Sequence, residues 1–116
     1  VKKKIICFDL DGVICDTQNN NYKKSKPINN NIKFINSLYD EYKIIIFTAR
    51  FMGRNNENTT KAIKQGYKFT YEQLQKWKLK FHKLILGKPS YDIYVDDKNL
   101  NFSSSWSKDL KKKLKR

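Results

Sequence analysis

Four short apolar runs divide the chain, and each ends at or just before a charged or polar residue. The runs are residues 5–8, 43–48, 84–86 and 92–95. Between them lie longer segments, in which apolar residues recur at helical spacing. Because parallel strands need long crossover connections, usually helices, this alternation predicts an α/β fold with a mostly parallel sheet flanked by helices. The first run is apolar on both faces, which is typical of a central strand.

The interval after the first run is polar and rich in asparagine. We expect residues 12–31, which include Pro27, to form a small flap, a loop with a short hairpin. A helix then begins near Asn30, because five apolar side chains follow at helical spacing: Ile32, Ile35, Leu38, Tyr39 and Tyr42.

The segment between the second and third runs predicts a loop and two helical pieces. Residues 49–58 are expected to form a loop over the sheet edge, and residues 59–65 a short helical turn that ends at Gly66. Thr70 and Gln73 have the spacing of a capping box for a further helix. That helix is expected to run from Tyr71 to about His82 and to bury three side chains: Leu74, Trp77 and Phe81.

The chain carries 25 Lys and Arg against 11 Asp and Glu, a formal net charge of +14. Such a surface attracts anions, including nucleic acid, acidic lipid and phosphorylated metabolites, and charge alone does not choose among them. Part of the excess lies in residues 104–116, expected to form a basic C-terminal helix or tail after a core of residues 1–103. Trp106 and Phe102 are expected to anchor this final segment. Nucleic acid is a candidate partner but not the favoured one.

Two further features concern the compartment. The longest apolar runs fall far short of the ~20 residues of a membrane helix, and Asp9 comes too early for a secretory signal. We therefore expect a cytoplasmic protein with no membrane partner. Cys7 and Cys15 fit neither a disulfide framework nor a zinc site, so both are expected to be reduced, with Cys7 buried.

The polar residues at the strand ends suggest chemistry, because ligands of such sheets bind beyond the carboxyl ends of the strands. Asp9 and Asp11 are two residues apart and should face one small volume, where like charges require a cation or a retained proton. Asp96 would add a third carboxylate, and clustered hard oxygens suit Mg²⁺. Lys88 and Thr48 could bind phosphoryl oxygens. Together the set indicates phosphoryl transfer through an aspartyl-phosphate.

In this order, these residues resemble the four motifs of the haloacid dehalogenase (HAD) superfamily of phosphohydrolases. Residues 8–13, Phe-Asp-Leu-Asp-Gly-Val, are similar to the first motif, Thr48 to the second, Lys88 to the third, and residues 95–97, Val-Asp-Asp, to the fourth. The resemblance covers residues 3–98. It implies a three-layer Rossmann-like fold and phosphomonoester hydrolysis.

The short intervals after the first two motifs leave no room for a large cap domain. A narrower resemblance depends on the short chain, on residues 48–50, Thr-Ala-Arg, with the asparagine-containing loop that follows them, and on the block of residues 87–97. In this respect the chain resembles small capless phosphatases of bacterial capsular polysaccharide biosynthesis. That likeness implies a sugar phosphate, or a related small phosphorylated metabolite, as the substrate. It leaves open a homo-oligomer whose contacts supply the missing lid.

The HAD resemblance also implies roles for single residues. Asp9 would be the nucleophile, and Asp11 the general acid that protonates the leaving alkoxide and then activates water. The Mg²⁺ ion would be held by Asp9, the backbone carbonyl of Asp11 and Asp96. Asp97 would help through a water molecule or cap the segment that follows.

The phosphoryl group would be bound by Thr48, by Lys88 and by the backbone amides of Leu10 and Asp11. Two arginines follow the second motif, Arg50 and Arg54. Either they contact the rest of the substrate or they are solvated loop residues.

Three functions therefore compete at this point. The favoured one is a Mg²⁺-dependent phosphomonoester hydrolase acting on a small phosphorylated metabolite. The second is a phosphatase acting on nucleic-acid ends or nucleotides, which the net charge suggests. The third is a non-catalytic phosphate-binding module that keeps the fold.

Overall fold

A parallel sheet of three strands forms the centre of the molecule in a computed structural model, which describes residues 2–115. The strands are β1 (Ile5–Phe8), β4 (Lys43–Thr48) and β5 (Lys83–Leu86), in the spatial order β1-β4-β5. Both pairings are parallel. All three strands fall where apolar runs predict them, but the expectation that the first run is central is wrong. The six-residue β4 takes the middle position, while β1 lies at the edge with Ile5 61% exposed.

Three helices flank this sheet, and a small hairpin follows β1. The helices are α1 (Asn29–Leu38), α2 (Thr59–Lys76) and α3 (Trp106–Leu114). The hairpin pairs β2 (Cys15–Asp16) with β3 (Lys26–Pro27), within the segment for which a small flap is expected. Short 3₁₀ turns lie at Tyr22–Lys24 and Gly53–Asn55. The described residues form no large cap domain, so at the carboxyl ends of the strands they provide only the hairpin and loops as a cover.

The helix α2 is one continuous element, so the prediction of two pieces is wrong. Asn58 caps its start, because the side-chain oxygen accepts a hydrogen bond from Lys61 N at 3.0 Å. Gly66 does not end the helix: the Phe51 ring occupies the space that a Cβ at Gly66 would fill. Thr70 lies buried inside the helix rather than at its start. The chain leaves the helix at Lys78, with a left-handed φ of 60°, so His82 lies outside it.

The fourth apolar run does not form a strand. Ile93 is 82% exposed and Val95 90% exposed, and residues 92–95 have no partner strand within the described part of the chain. A strand gains stability from ladder hydrogen bonds and from burial of its faces, and this segment has neither. Its two neighbouring tyrosine rings instead lie 5.2 Å (Tyr91) and 4.9 Å (Tyr94) from the Lys88 ammonium.

The basic C-terminal segment forms a helix that belongs to the same core. Trp106 and Leu110 of α3 are buried in the main hydrophobic cluster, and the Trp106 ring packs edge-on against Phe8 and Phe34. The Phe102 ring also contacts Trp106, in a tilted arrangement with the ring centroids 5.6 Å apart. The lysines of α3 lie on its outer side, so its charge is compatible with a packed helix.

The two cysteines are free thiols, and their burial differs from expectation. Cys7, expected to be buried, is exposed because the strand that carries it lies at the sheet edge. Cys15 is buried. None of the helices in residues 2–115 is long and apolar enough to cross a membrane.

Candidate functional site

A cavity of about 560 Å³ lies at the carboxyl ends of the three strands. Its volume falls within the range typical of small-molecule sites. The residues that line it include six candidates from the sequence: Asp9, Asp11, Thr48, Arg50, Arg54 and Lys88. The three strand ends therefore bring these side chains together at one place, as the parallel sheet requires.

Asp9 follows β1 directly and is paired with Lys88 from the turn after β5. Lys88 Nζ lies 3.7 Å from Asp9 Oδ2. The chain can bring Lys88 back over the sheet because Gly87 adopts a φ of +103°, which side chains other than glycine rarely tolerate. The backbone amide of Leu10 donates to Asp9 Oδ1 at 2.8 Å, so in this structure that amide contacts the carboxylate.

The environment of Asp9 sets its protonation. Partial burial raises the pKa of Asp9 above its ordinary value of 3.8. The Lys88 charge and the Leu10 amide oppose this rise, and the charge of Asp11 adds to it. Asp9 is thus a carboxylate with reduced hydration, 37% exposed into the cavity and next to a cation.

Asp11 is held by a buried arginine. Arg50 Nε donates to Asp11 Oδ2 at 2.9 Å and Arg50 Nη2 donates to Asp11 Oδ1 at 2.9 Å, a fork-like pair. The hydroxyl of Thr17 donates to Oδ1 at 2.5 Å. Burial raises the pKa of the neighbouring Cys15 thiol to about 11, which keeps it protonated as a donor to Oδ1 at 3.3 Å. The carboxylate orientation is therefore fixed from three sides.

Arg50 is itself held by groups from the flap and from α2. Its guanidinium donates to Gln73 Oε1 at 2.6 Å and to Ser25 Oγ at 3.2 Å, and it lies 4.7 Å from the Tyr22 ring centroid. Gln73 also donates to the Tyr22 carbonyl at 2.8 Å, so one α2 side chain ties the flap to the arginine. Only 1% of Arg50 is exposed. It therefore acts as an internal clamp on Asp11 and not as a solvated loop residue.

Thr48 ends the central strand β4 and is buried. Its hydroxyl oxygen accepts a hydrogen bond from the Arg50 amide at 3.1 Å, while the backbone carbonyl of Thr48 accepts from the Lys88 amide at 3.2 Å. The hydroxyl hydrogen can still donate, because a hydroxyl has one donor besides its acceptor sites. Thr48 thus stands between the two loops that carry the cationic residues.

Asp96 and Asp97 are not brought into this cavity. Both are exposed, and Asp96 Oδ1 accepts from the Lys98 amide at 2.9 Å. The third carboxylate that the sequence predicts at this site is therefore not among the residues that line the cavity in this structure.

This placement bears on the Mg²⁺ ion that the sequence suggests. No group of three His, Cys, Asp or Glu side chains among residues 2–115 is arranged to hold a metal ion. Asp9 and Asp11 both line the cavity, but the Asp11 carboxylate is occupied by Arg50, and the Asp9 carboxylate faces Lys88 at 3.7 Å. Hard cations prefer six or more oxygen ligands, commonly several from carboxylates. The residues as placed here do not fit a complete Mg²⁺ site.

Sequence reasoning missed four residues that organise the site. Thr17 and Ser25 come from the flap, whose composition predicts only a loop, and their hydroxyls lie 2.6 Å apart. Tyr22 stacks on Arg50, and Gln73 was assigned to a capping box. Nothing in the local sequence distinguishes Gln73, which is half-buried, from the other polar residues of α2.

In sequence, the chain matches no model of a protein family and no curated protein. In structure, it is similar to a crystal structure of a structural-genomics target from Vibrio cholerae, with a TM-score of 0.78 and 22% identity. The similarity covers 96% of this chain and 98% of that chain. At this identity the comparison shows a shared fold over almost the whole length. The chain therefore has a compact α/β fold with a parallel three-stranded sheet, which is consistent with the predicted Rossmann-like fold.

Proposed function

We propose that the protein is a phosphomonoester hydrolase of the HAD type, which acts on a small phosphorylated metabolite, with a sugar phosphate as the first candidate. The observation that carries this proposal is the pair formed by Asp9 and Lys88 at the floor of the cavity. A partly desolvated carboxylate beside an ammonium group provides both a nucleophile and a countercharge for a phosphoryl group. The motif resemblance of residues 8–13, 48, 88 and 95–97 supports the same conclusion.

In the proposed reaction, a carboxylate oxygen of Asp9 attacks phosphorus and the ester P–O bond breaks. The leaving alkoxide takes a proton, and an aspartyl-phosphate remains on Asp9. Water then attacks phosphorus, loses a proton, and releases inorganic phosphate, which restores the Asp9 carboxylate. Lys88 and the Thr48 hydroxyl are the groups that would balance and orient the phosphoryl oxygens.

Asp11 is the residue proposed to handle the protons. Arg50 holds its carboxylate at the cavity wall, in contact at 2.9 Å, so its orientation is set before a substrate arrives. For this role Asp11 would have to enter the reaction protonated: it would give that proton to the leaving oxygen and, as the carboxylate that Arg50 holds, take one back from the attacking water. Arg50 is therefore assigned to positioning Asp11, rather than to contact with the substrate.

The Mg²⁺ requirement expected from the sequence stays a prediction, separate from the steps above. Asp9 is the one carboxylate in place for it, and Asp96 would need to come into the cavity to add a second. Phosphate release measured with Mg²⁺, and again with EDTA, tests this requirement directly.

The experiment that tests the proposed function is phosphate release from a broad panel of phosphomonoesters. The panel contains sugar phosphates, other small metabolites, nucleotides and oligonucleotides with terminal phosphates. We expect turnover of at least one small metabolite and a loss of about 10³-fold or more in Asp9→Asn, because an amide cannot form the acyl phosphate. A preference for oligonucleotide ends would instead select the second function.

The matched control is Asp16→Asn, the same substitution on an exposed residue of the hairpin. Its activity should equal that of the wild type. If no member of the panel is hydrolysed, or if Asp9→Asn retains the wild-type rate, the proposed function is wrong.

A further inference from the structure

A second arginine, Arg54, stands at the rim of the cavity on an aromatic platform. Its guanidinium carbon lies 5.0 Å from the Tyr22 ring centroid and 4.7 Å from that of Phe51. Its Nη2 donates to the Asn20 carbonyl at 3.1 Å. The platform is itself fixed, because Gln73 holds the Tyr22 backbone and Phe51 is buried. An exposed side chain is thus held in one orientation before any ligand binds.

The charge of Arg54 is uncompensated, unlike that of the other two cations at the cavity. Arg50 contacts Asp11 and Lys88 contacts Asp9, whereas Arg54 has no carboxylate partner among residues 2–115. A guanidinium has five N–H donors in a planar fork that matches a carboxylate or a phosphate. One N–H group of Arg54 donates to the Asn20 carbonyl, so the remaining N–H groups of the guanidinium are available to an anion.

The position of Arg54 relates it to the bound substrate. It lines the 560 Å³ cavity together with Asp9 and Lys88, and it also lines a second cavity of about 260 Å³. Asn20 and Tyr22 line both cavities as well, so the two spaces meet at the Arg54 platform. A phosphoryl group next to Asp9 would leave the rest of the molecule facing this wall.

Building on the proposed phosphatase activity, we propose that the substrate carries a second anionic group on its leaving-group side, and that Arg54 binds it. The group is a carboxylate or a second phosphate, since both present the planar pair of oxygens that a guanidinium recognises. The neighbouring amides of Asn21 and Gln65 in the second cavity suit the hydroxyl groups of a polyol chain. The substrate class is therefore an acidic or doubly phosphorylated sugar.

A matched pair of compounds tests this assignment. Sorbitol 6-phosphate and 6-phosphogluconate differ only at carbon 1, where the first has a hydroxymethyl group and the second a carboxylate. In the wild type, we expect kcat/KM to be about tenfold or more higher for 6-phosphogluconate, as a charge-assisted pair provides. Fructose 6-phosphate and fructose 1,6-bisphosphate make the corresponding comparison for a second phosphate.

Three variants separate this contact from the general attraction of a +14 protein for anions. Arg54→Gln should abolish the preference within each pair, and Arg54→Lys should keep part of it, since it retains the charge without the fork. Lys68→Gln removes one exposed positive charge from α2 outside both cavities and should keep the full preference. Equal kcat/KM within both pairs, or an equal loss in Lys68→Gln and Arg54→Gln, overturns the assignment.

Equilibrium binding distinguishes failure of this inference from failure of the proposed function. Calorimetric titration of Asp9→Asn with each compound measures recognition without turnover. Tighter binding of the doubly anionic member, lost in the double variant Asp9→Asn/Arg54→Gln, supports the Arg54 site even if no hydrolysis occurs. Hydrolysis of both members of a pair at equal rates, with equal binding, leaves the phosphatase proposal standing and removes this one.

Discussion

Two loops leave neighbouring strands at the same edge of the sheet, and they differ sharply in how they are held. The loop after β4, residues 49–58, contains three buried side chains, Arg50, Phe51 and Met52, and bonds to both the flap and α2. The segment after β5, residues 87–105, begins with the buried Lys88 and is then exposed at every position from 89 to 99. The first part of one loop is an internal part of the fold, whereas the other loop lies on the surface from residue 89 to residue 99.

This difference shows that the polarity of a segment does not by itself predict whether the segment is buried. The first loop is rich in charge and asparagine, yet its residues 50–52 are buried, and Arg50 is bonded to partners from the flap and α2. The second contains an apolar run, 92–95, yet has no element packed on it. Burial of a polar group needs a satisfied network, whereas burial of an apolar strand needs a surface to cover it.

We expect the largest effect on stability from removal of Arg50, the residue of the first loop that holds Asp11. Arg50→Met leaves the Asp11 carboxylate, 29% exposed, without its cation. We expect a loss of roughly 2–4 kcal/mol in the free energy of unfolding, somewhat less than for a fully buried pair. Urea denaturation measures it. Activity should fall as well, because Asp11 loses its fixed orientation.

Arg54→Met is the control in the same loop. Its side chain is exposed and has no carboxylate partner in the described part of the chain, and its contacts are with two rings and one carbonyl, so we expect a loss of at most about 1 kcal/mol. Equal losses for Arg50→Met and Arg54→Met would contradict the contrast between clamp and rim.

The next largest effect concerns the contact between this loop and α2. In most helices Gly→Ala stabilises by up to about 1 kcal/mol. At Gly66 a methyl group would overlap the Phe51 ring, so Gly66→Ala should destabilise by roughly 1–3 kcal/mol. Urea denaturation measures the sign of the change in the free energy of unfolding, and a stabilised Gly66→Ala variant would contradict the contact with Phe51. Gln75→Ala, at an exposed position of α2, should be neutral or slightly stabilising.

A smaller effect contrasts the two ion pairs. Burial raises the native pKa of Asp9, so the wild type loses stability as the pH rises from about 4, the ordinary value, through the raised native value. Asp9→Asn cannot ionise and escapes this loss. We expect the stability of the variant relative to the wild type to increase as the pH rises from 3 to 7, and by a small amount because Asp9 is partly exposed.

Melting curves over this pH range, with Asp16→Asn as the matched control, check the prediction. A variant that is less stable than the wild type at pH 7 would mean that the Lys88 contact at 3.7 Å outweighs burial. The Asp9–Lys88 pair would then stabilise the fold, as is expected of the Asp11–Arg50 pair.

The smallest expected effect lies in the exposed run of the second segment. Val95→Lys replaces a side chain that is 90% exposed, so we expect a change within about 0.5 kcal/mol. A loss above roughly 1.5 kcal/mol would show that residues 92–95 pack as the strand that the sequence predicts. Leu86→Ala removes a buried apolar side chain from β5 and serves as the reference for a residue that does pack in a strand. Its expected loss is roughly 2–5 kcal/mol.

These contrasts show what sequence could predict. The three strands and α1 follow from apolar periodicity, and the edge that gathers Asp9, Thr48 and Lys88 follows from parallel connections. The continuity of α2 could not be predicted, because glycine usually weakens a helix. Only the structure shows that the Phe51 ring lies in the space that a side chain at residue 66 would need. The exposure of Val95 could not be predicted either, because its sequence matches a strand and only the absence of a covering element in the described residues decides otherwise.

The site itself was predicted in part. Asp9, Asp11, Thr48 and Lys88 line one cavity, but their sequence positions say nothing of which cation contacts which carboxylate. Arg50 and Asp11 are 39 residues apart along the chain, and their pairing depends on Gln73 of α2 and Ser25 of the flap, which lie 23 and 25 residues from Arg50. Contacts of that sequence separation leave no local pattern to read.

The packing of Trp106 has a practical consequence for measurement. The chain has two tryptophans, and Trp106 is buried edge-on against Phe8, the residue immediately before Asp9. Undocking of α3 would transfer this indole from an apolar contact to water and shift its fluorescence to longer wavelengths. With Trp77 replaced by Phe, the protein would carry an intrinsic optical probe whose emission reports, without any label, whether the C-terminal helix is seated behind the carboxylate.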